Sequence, residues 1–232
     1  MALVELMKRG HIHSIVSQNI DGLHRKSGIH ADGLVELHGN TNLELCTKCG
    51  REHMRDFKVR AATNSKKHLT GRICDTPGCG GALKDTIINF GENLNSGILN
   101  KGFDEHRKAD LVIACGSSLR VSPASEMPVQ AVQNGANFVN INLQKTPLDY
   151  LCAMNVFGMM DDVFELLMEK LGYQMPEFRL ERRLKVSLSD DKKNVNFTGL
   201  DMNGACFSLF KKITVGGLAN TEAILPSAKE NV

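Results

Sequence analysis

The sequence predicts an α/β fold, a parallel sheet flanked by helices, together with a small zinc-binding module. Two observations carry that reading. Cysteines recur as Cys46-x2-Cys49 and Cys74-x4-Cys79, two close pairs across a polar stretch, which is the spacing of a closed tetrahedral zinc site. Further on, residues 110–141 run as an apolar strand, a turn of small residues, a helix and a second apolar strand, the order of a βαβ unit.

Each element follows from its local pattern. Ala2 to Arg9 places Leu3, Leu6 and Met7 on one helical face, with Gly10 as the stop. His13 to Ser17 reads as a short buried strand around Ile15 and Val16. Asp110 to Cys115 is an apolar run bounded by turn residues, as in a strand buried on both faces. A helix is expected from Ser125 to Asn134, with Pro128 in its first turn and Gly135 as its stop. Phe138 to Ile141 is the next strand. Asp162 to Leu171 is a helix packing through Val163, Phe164, Leu167 and Leu171, and Gly172 ends it. Ser187 to Lys193 reads as a polar linker. Asn196 to Phe210 then alternates around Asn203 and Gly204, a hairpin signal.

Composition sets the class. The chain has 232 residues, 42% hydrophobic and 23% charged, with a formal net charge of +2, which suits one core domain and a small appendage. That balance gives no whole-chain electrostatic reason for nucleic-acid binding. No apolar run has transmembrane length and no signal-peptide core is visible. Seven cysteines, an odd count, argue for a reducing compartment and against disulfides. Thr47, Lys48 and Gly50 in the first knuckle, and Pro77, Gly78, Gly80 and Gly81 around the second, let backbone N–H groups reach the sulfurs. Nothing nearby suggests an open coordination position, so the expected metal is structural. Arg179, Arg182, Arg183 and Lys185 form a short basic stretch, more typical of a solvated face than of a localisation signal.

Three polar clusters could carry chemistry. Gly116, Ser117 and Ser118 stand at the carboxyl end of a strand, where backbone N–H groups and hydroxyls can meet a phosphate or ribose; a plain tight turn explains them about as well. Asn142 and Gln144 end the next strand and could face the same crevice. Ser17 to His24 packs Gln18, Asn19, Asp21 and Gly22 into one strand exit. Glu36 to Gly39 places His38 between that loop and the zinc module, where an imidazole could serve as a general base.

Taken in order, Gln18 to His24, Glu36 to Gly39, the four cysteines, Phe90 to Glu92 and Gly116 to Leu119 resemble the motifs of sirtuins, the NAD-dependent protein deacylases. The resemblance covers about residues 1 to 180. Asp85 to Glu92, Asn142 to Gln144 and Gly172 to Pro176 look most like the subgroup with the nuclear, chromatin-associated sirtuins of animals and plants. It implies a Rossmann-like sheet with helices on both faces, one structural zinc on Cys46, Cys49, Cys74 and Cys79, and NAD as cosubstrate. His38 would be the catalytic base. Gln18 would contact the ribose, and Asn19 and Asp21 would line the nicotinamide pocket. Gly116, Ser117, Ser118, Asn142, Gln144 and Met160 would hold the adenosine half. Ile88, Phe90, Gly91 and Glu92 would form an edge of the peptide cleft and pair with the backbone of an acyl-lysine protein, histones among the candidates. A nuclear location follows from the subgroup, with the cytoplasm as the alternative.

The family's Gly-rich turn for the NAD phosphates and its Gly-Ile-Pro-Asp-Phe-Arg type of loop have no counterpart here. The expectation is therefore a chain lacking the first strand and helix of the usual domain, and one that turns over NAD poorly or not at all. Expected domains are 1–40, a partial NAD-binding domain with the catalytic segment; 41–85, the zinc module; 86–178, the rest of the Rossmann-like domain; and 179–232, a linker and C-terminal extension. Two other functions compete with deacylation: mono-ADP-ribosyl transfer, and an inactive zinc-containing binding or scaffold fragment.

Overall fold

The structure, a computed structural model, describes residues 1–60, 68–190, 192–201, 204, 206 and 207. In chain order the first half contains α1 (Ala2–Lys8), β1 (Ile15–Ser17), α2 (Leu23–Lys26), β2 (Leu34–Glu36), β3 (Leu43–Cys46), β4 (Glu52–Met54), β5 (Leu69–Ile73), β6 (Ala82–Asp85) and α3 (Ser96–Lys108). The second half contains β7 (Leu111–Cys115), α4 (Glu126–Gln133), β8 (Asn137–Asn142), β9 (Met154–Phe157), α5 (Met160–Lys170), β10 (Arg183–Leu188), β11 (Val195–Leu200) and β12 (Cys206–Phe207). No helix among the described residues is long and apolar enough to cross a membrane. Two compact units result. One comprises Met1–Ser17, Asp32–Leu37 and Asn93–Phe178; the other comprises Gln18–Ala31, His38–Glu92 and Arg179–Val232.

The first unit is the parallel α/β part. β1 pairs in parallel with β2, and β7, β8 and β9 form a parallel three-stranded sheet. Side chains alternate across that sheet, as the two-residue strand period requires. Val112 and Phe138 pack with Ala131 of α4 on one face. Val139 and Ile141 pack on the other with Ala2 and Leu6 of α1 and with Phe164 and Met168 of α5. Helices therefore cover both faces. A third cluster joins Val35 and Leu37 to Met127 of α4 and to Leu99 and Phe103 of α3.

The helix ends obey their caps. Gly10, Gly135 and Gly172 take φ of 79°, 95° and 69° after α1, α4 and α5, the left-handed conformation that glycine adopts freely. Pro128 lies in the first turn of α4. In α5 Val163, Phe164 and Leu167 pack inward as expected and Met168 joins them, whereas Leu171, expected inside, stands just past the helix end and is 40% exposed.

The second unit is built on a seven-stranded mixed sheet in the order β10-β11-β12-β4-β3-β6-β5. Its interior is held by charge as well as by apolar packing. Glu44, wholly buried, accepts from Arg55 Nε and Arg72 Nε at 2.7 Å each, so both carboxylate oxygens are satisfied, as burial demands. The linker expected over Ser187 to Lys193 is instead the end of β10 and the turn into β11, closed by Ser189 N–H to the Asn194 carbonyl at 2.8 Å. β11 then turns through Asp201 and Gly204 into β12, which pairs in parallel with β4. Met202, Asn203, Ala205 and Ser208 to Phe210 of the expected hairpin lie outside the described residues.

Candidate active site and metal centre

The zinc-type centre lies in the second unit. β3 delivers Cys46, the knuckle after it Cys49, and the loop after β5 delivers Cys74 and Cys79. Sulfur separations are 3.5 Å for Cys46 to Cys79 and 3.8 Å for Cys49 to Cys74, and all four sulfurs lie within 4.8 Å of one another. A tetrahedral ion with zinc–sulfur bonds near 2.3 Å requires sulfurs about 3.8 Å apart, so the donor set fits zinc. The Lys48 and Cys49 N–H groups each reach Cys46 Sγ at 3.4 Å. The Cys49 N–H is the main reason the Cys46 thiol falls to about 6, a value that favours the thiolate a metal needs. Gly81 has no room for a side chain, since a Cβ there would stand 2.6 Å from Cys46 Sγ.

Sequence reasoning did not single out the support behind these ligands. His53 of β4 is fully buried, with Nε2 3.5 Å from Cys74 Sγ. Burial lowers its pKa and keeps the ring neutral, so one ring nitrogen can donate to a thiolate, a typical outer contact of a metal ligand. Only the Glu-His-Met alternation of β4, which turns a histidine inward beside the knuckle, could have signalled it.

The segment expected to be catalytic is in the same unit. His38 follows β2, and its Nδ1 lies 3.0 Å from the Gln18 carbonyl. That oxygen can only accept, so Nδ1 carries the proton and the lone pair sits on Nε2, the arrangement of a base. The position depends on its neighbour. Gly39 has φ 80°, and a Cβ on it would come within 1.9 Å of the Thr86 carbonyl. Close passage of these two chains lets the His38 carbonyl accept from Ile88 N–H at 3.1 Å. Asp21 is exposed and its Oδ1 accepts from Leu23 N–H at 3.0 Å, which starts α2; Asn19 is exposed beside it. Ile20 and Asp21 border an open depression of about 450 Å³ with Lys26, Asn42, Asp56 and Lys58.

Ile88 to Glu92 forms a turn beyond β6. Glu92 closes it by accepting from Asn89 N–H and Asn89 Nδ2, both at 2.7 Å. Those bonds, the backbone one foremost, hold Glu92 down at about 2. Phe90 at the tip is fully exposed.

The expected adenosine group lies in the first unit, at the carboxyl ends of β7 and β8. Gly116, with φ 61°, donates to the Ile141 carbonyl at 2.9 Å. Asn142 Nδ2 donates to the Ser117 carbonyl at 2.7 Å, and Asn142 Oδ1 accepts from Leu143 N–H and Gln144 N–H. The Met160 methyl is 3.8 Å from where a Gly116 Cβ would be. Gly116, Ser117, Asn142, Gln144 and Met160 thus come together, and Ser118 is exposed on the same turn. The chain's other predicted residues, Gln18, Asn19, Asp21, His38 and Ile88 to Glu92, all belong to the second unit.

An NAD-dependent protein deacetylase of Arabidopsis thaliana, SRT1, is 37% identical over 202 residues, covering 85% of this chain and 42% of the relative. The NAD-dependent protein deacetylase sirtuin-7 of Bos taurus is 38% identical, covering 77% of this chain and 46% of the relative. The chain therefore spans less than half the length of these two relatives. A solved structure of Sir2 with a p53 peptide and NAD+ superposes with a TM-score of 0.58 at 29% identity, covering 74% of this chain and 68% of that one. The Sir2 family profile matches residues 1–123, a span that holds His38, the four cysteines and the Gly116 turn together, and the chain belongs to that family.

Proposed function

We propose that this chain carries the catalytic and metal-binding part of an NAD-dependent protein-lysine deacylase. The observation that supports it most is the setting of His38: Nδ1 committed to the Gln18 carbonyl at 3.0 Å, Nε2 left as a base, and the Ile88 to Glu92 turn anchored to its own carbonyl. NAD supplies the electrophilic ribose carbon that takes the acyl oxygen as nicotinamide leaves, the acyl group finishing on ADP-ribose. His38 Nε2 accepts the proton of a ribose hydroxyl. Gln18 holds that ribose, and Asn19 and Asp21 border the nicotinamide. Gly116, Ser117, Ser118, Asn142, Gln144 and Met160 hold the adenosine end. Ile88, Phe90, Gly91 and Glu92 line one side of an extended acyl-lysine peptide. The N–H groups of Ile88 and Asn89 are bonded within the chain, so the peptide backbone would meet carbonyls here and its apolar side chains Phe90. Cys46, Cys49, Cys74 and Cys79 hold one zinc, which fixes the turns carrying these groups and takes no part in the chemistry. Histone substrates and a nuclear location are the finer form of the proposal, and they rest on the subgroup resemblance.

Nicotinamide release under single turnover, with the chain in excess over NAD and an acetyl-lysine peptide, tests the reading. Release should require the acetyl group and fall by about a hundred- to ten-thousandfold in His38→Ala, the contribution of a general base. Release indifferent to the acetyl group, or undiminished in the variant, would contradict it.

A further inference from the structure

A second histidine cluster lies behind the Ile88 to Glu92 turn. Asp85, 3% exposed, is its hub. Asp85 Oδ1 accepts from Ile87 N–H at 2.9 Å and lies 3.0 Å from His68 Nδ1, and Oδ2 accepts from Arg60 Nε at 3.0 Å. Arg60 Nη1 donates to Asn89 Oδ1 at 2.7 Å. On its other side, His68 Nε2 is 3.1 Å from Glu92 Oε1, the atom that also accepts from Asn89 Nδ2. His68 itself has φ 55°, a left-handed backbone uncommon for a residue with a side chain, and such strain persists only where the surroundings enforce it.

The imidazole therefore stands between two carboxylates, one at each end of the turn. Only the imidazolium has an N–H for both. A neutral ring can donate to Glu92 or to Asp85. If it keeps Glu92, its Nδ1 lone pair faces Asp85 Oδ1 and, among the described residues, can be met only by Arg60 Nη2, 3.1 Å away. Among the described residues, Arg60, Asp85 and Glu92 are the charged groups packed against the ring.

We propose that His68 is a positioning residue for the substrate peptide: in its protonated form it ties Asp85 to Glu92 and holds the Ile88 to Glu92 turn in its peptide-gripping shape. This rests on the deacylase reading, which assigns that turn to the peptide cleft. The sign of the pH dependence follows from the two partners. Hydrogen bonding to Asp85 raises the His68 pKa, with Glu92 adding to it and burial opposing. The His68 contribution is thus complete below the ordinary histidine range, near 6.5, and is lost as pH rises through its raised value. Glu92 is lowered to about 2, so its contribution is complete above the ordinary carboxylate range and is lost only in strong acid. The grip is full in mild acid and declines on the alkaline side.

Fluorescence anisotropy of a labelled acetyl-lysine peptide on the zinc-loaded chain, from about pH 6 to about pH 9, reads this without turnover. Wild-type affinity should fall about threefold to tenfold across the range, the scale of one hydrogen bond's net contribution. His68→Asn tolerates the left-handed backbone but cannot bridge the carboxylates. It should bind at the weak alkaline level throughout, with no slope. If that variant is insoluble, Glu92→Gln removes the partner and should flatten the slope likewise. A variant slope equal to that of wild type, or a wild-type affinity independent of pH, overturns the positioning role and leaves the deacylase reading standing. Wild-type protein that binds the acetylated peptide no better than the unacetylated one at every pH overturns both.

Discussion

At Gly39 the backbone runs at φ 80° and passes so close to Thr86 that a Cβ would overlap its carbonyl oxygen at 1.9 Å. Gly39→Ala should therefore cost at least about 2 kcal/mol, from the left-handed strain and the clash together. It should also displace His38, whose carbonyl bond to Ile88 N–H shares that crossing. A thermal melt of the variant beside wild type checks this; an unchanged midpoint would show that the two segments separate freely. Cys74→Ser should abolish binding of about one zinc per chain and lower stability, because a four-thiolate site contributes its binding energy to folding; metal analysis and the same melt check it. His38 and Cys74 were legible in the sequence for reasons of chemistry: an imidazole before a glycine, between a polar loop and the cysteine module, and paired cysteines. His53 and His68 were not. His53 had only the alternation of β4 to mark it, and its role shows in the Cys74 that the fold brings to it; His68 is recognisable only from a pair of carboxylates 17 and 24 residues away.

Among the elements, those legible in advance carried their own punctuation. α4 was read from Pro128 and Gly135, β7 from an unbroken apolar run, and β8 from Phe138, Val139 and Ile141 closing the βαβ order. α3 was not read, because Gly97 and Gly102 interrupt its periodicity. The structure explains one of these: a Cβ at Gly102 would sit 2.8 Å from the Met127 methyl, so α3 and α4 approach closely at that point. The Asn95 cap, whose side chain accepts from Gly97 N–H and Ile98 N–H, was the available signal. β10 alternates Leu184, Val186 and Leu188 with Arg183, Lys185 and Ser187, but the basic residues read as linker. It is tied into the sheet through β11 and β12. Arg25 of α2, beside the Asp21 turn, bonds Glu52 at 2.6 Å and lies 3.5 Å from Asp201, both its side chain and that of Asp201 being 7% exposed. Asp201→Asn should weaken the hold of β10 to β12 on α2 by about 1–3 kcal/mol, less than a fully broken buried pair because Arg25 keeps Glu52. Faster proteolysis within residues 179–207, with zinc content unchanged, is the expected result; equal cleavage rates would place the anchor in the β12 to β4 pairing instead.

Across the whole molecule the chain passes between its two units five times, at residues 17, 31, 37, 92 and 178. The unit that contains the cysteine quartet also contains His38, the Ile88 to Glu92 turn and the described C-terminal strands. Its central strands are short, three to five residues in β3 to β6, so the metal supplies cohesion that so small a core does not. Chelation should therefore speed amide exchange in β3 to β6 before it does so in β7 to β9, whose apolar clusters include no metal ligand; simultaneous loss would mean a single cooperative core. The predicted NAD contacts were implied by family resemblance and not by local pattern, since polar turns look alike in sequence whatever they hold; their division between the two units was not foreseen, because residues 1–40 were expected as one domain. The central claim is that these residues transfer an acyl group from lysine to ADP-ribose. Mass spectrometry of a single-turnover mixture of the zinc-loaded chain, NAD and an acetyl-lysine peptide tests it most directly. However slowly this chain forms them, nicotinamide, deacetylated peptide and acetyl-ADP-ribose should appear in equal amounts and vanish together in His38→Ala. Nicotinamide accompanied by ADP-ribose attached to protein, with the peptide still acetylated, would contradict it and assign the site to mono-ADP-ribosyl transfer.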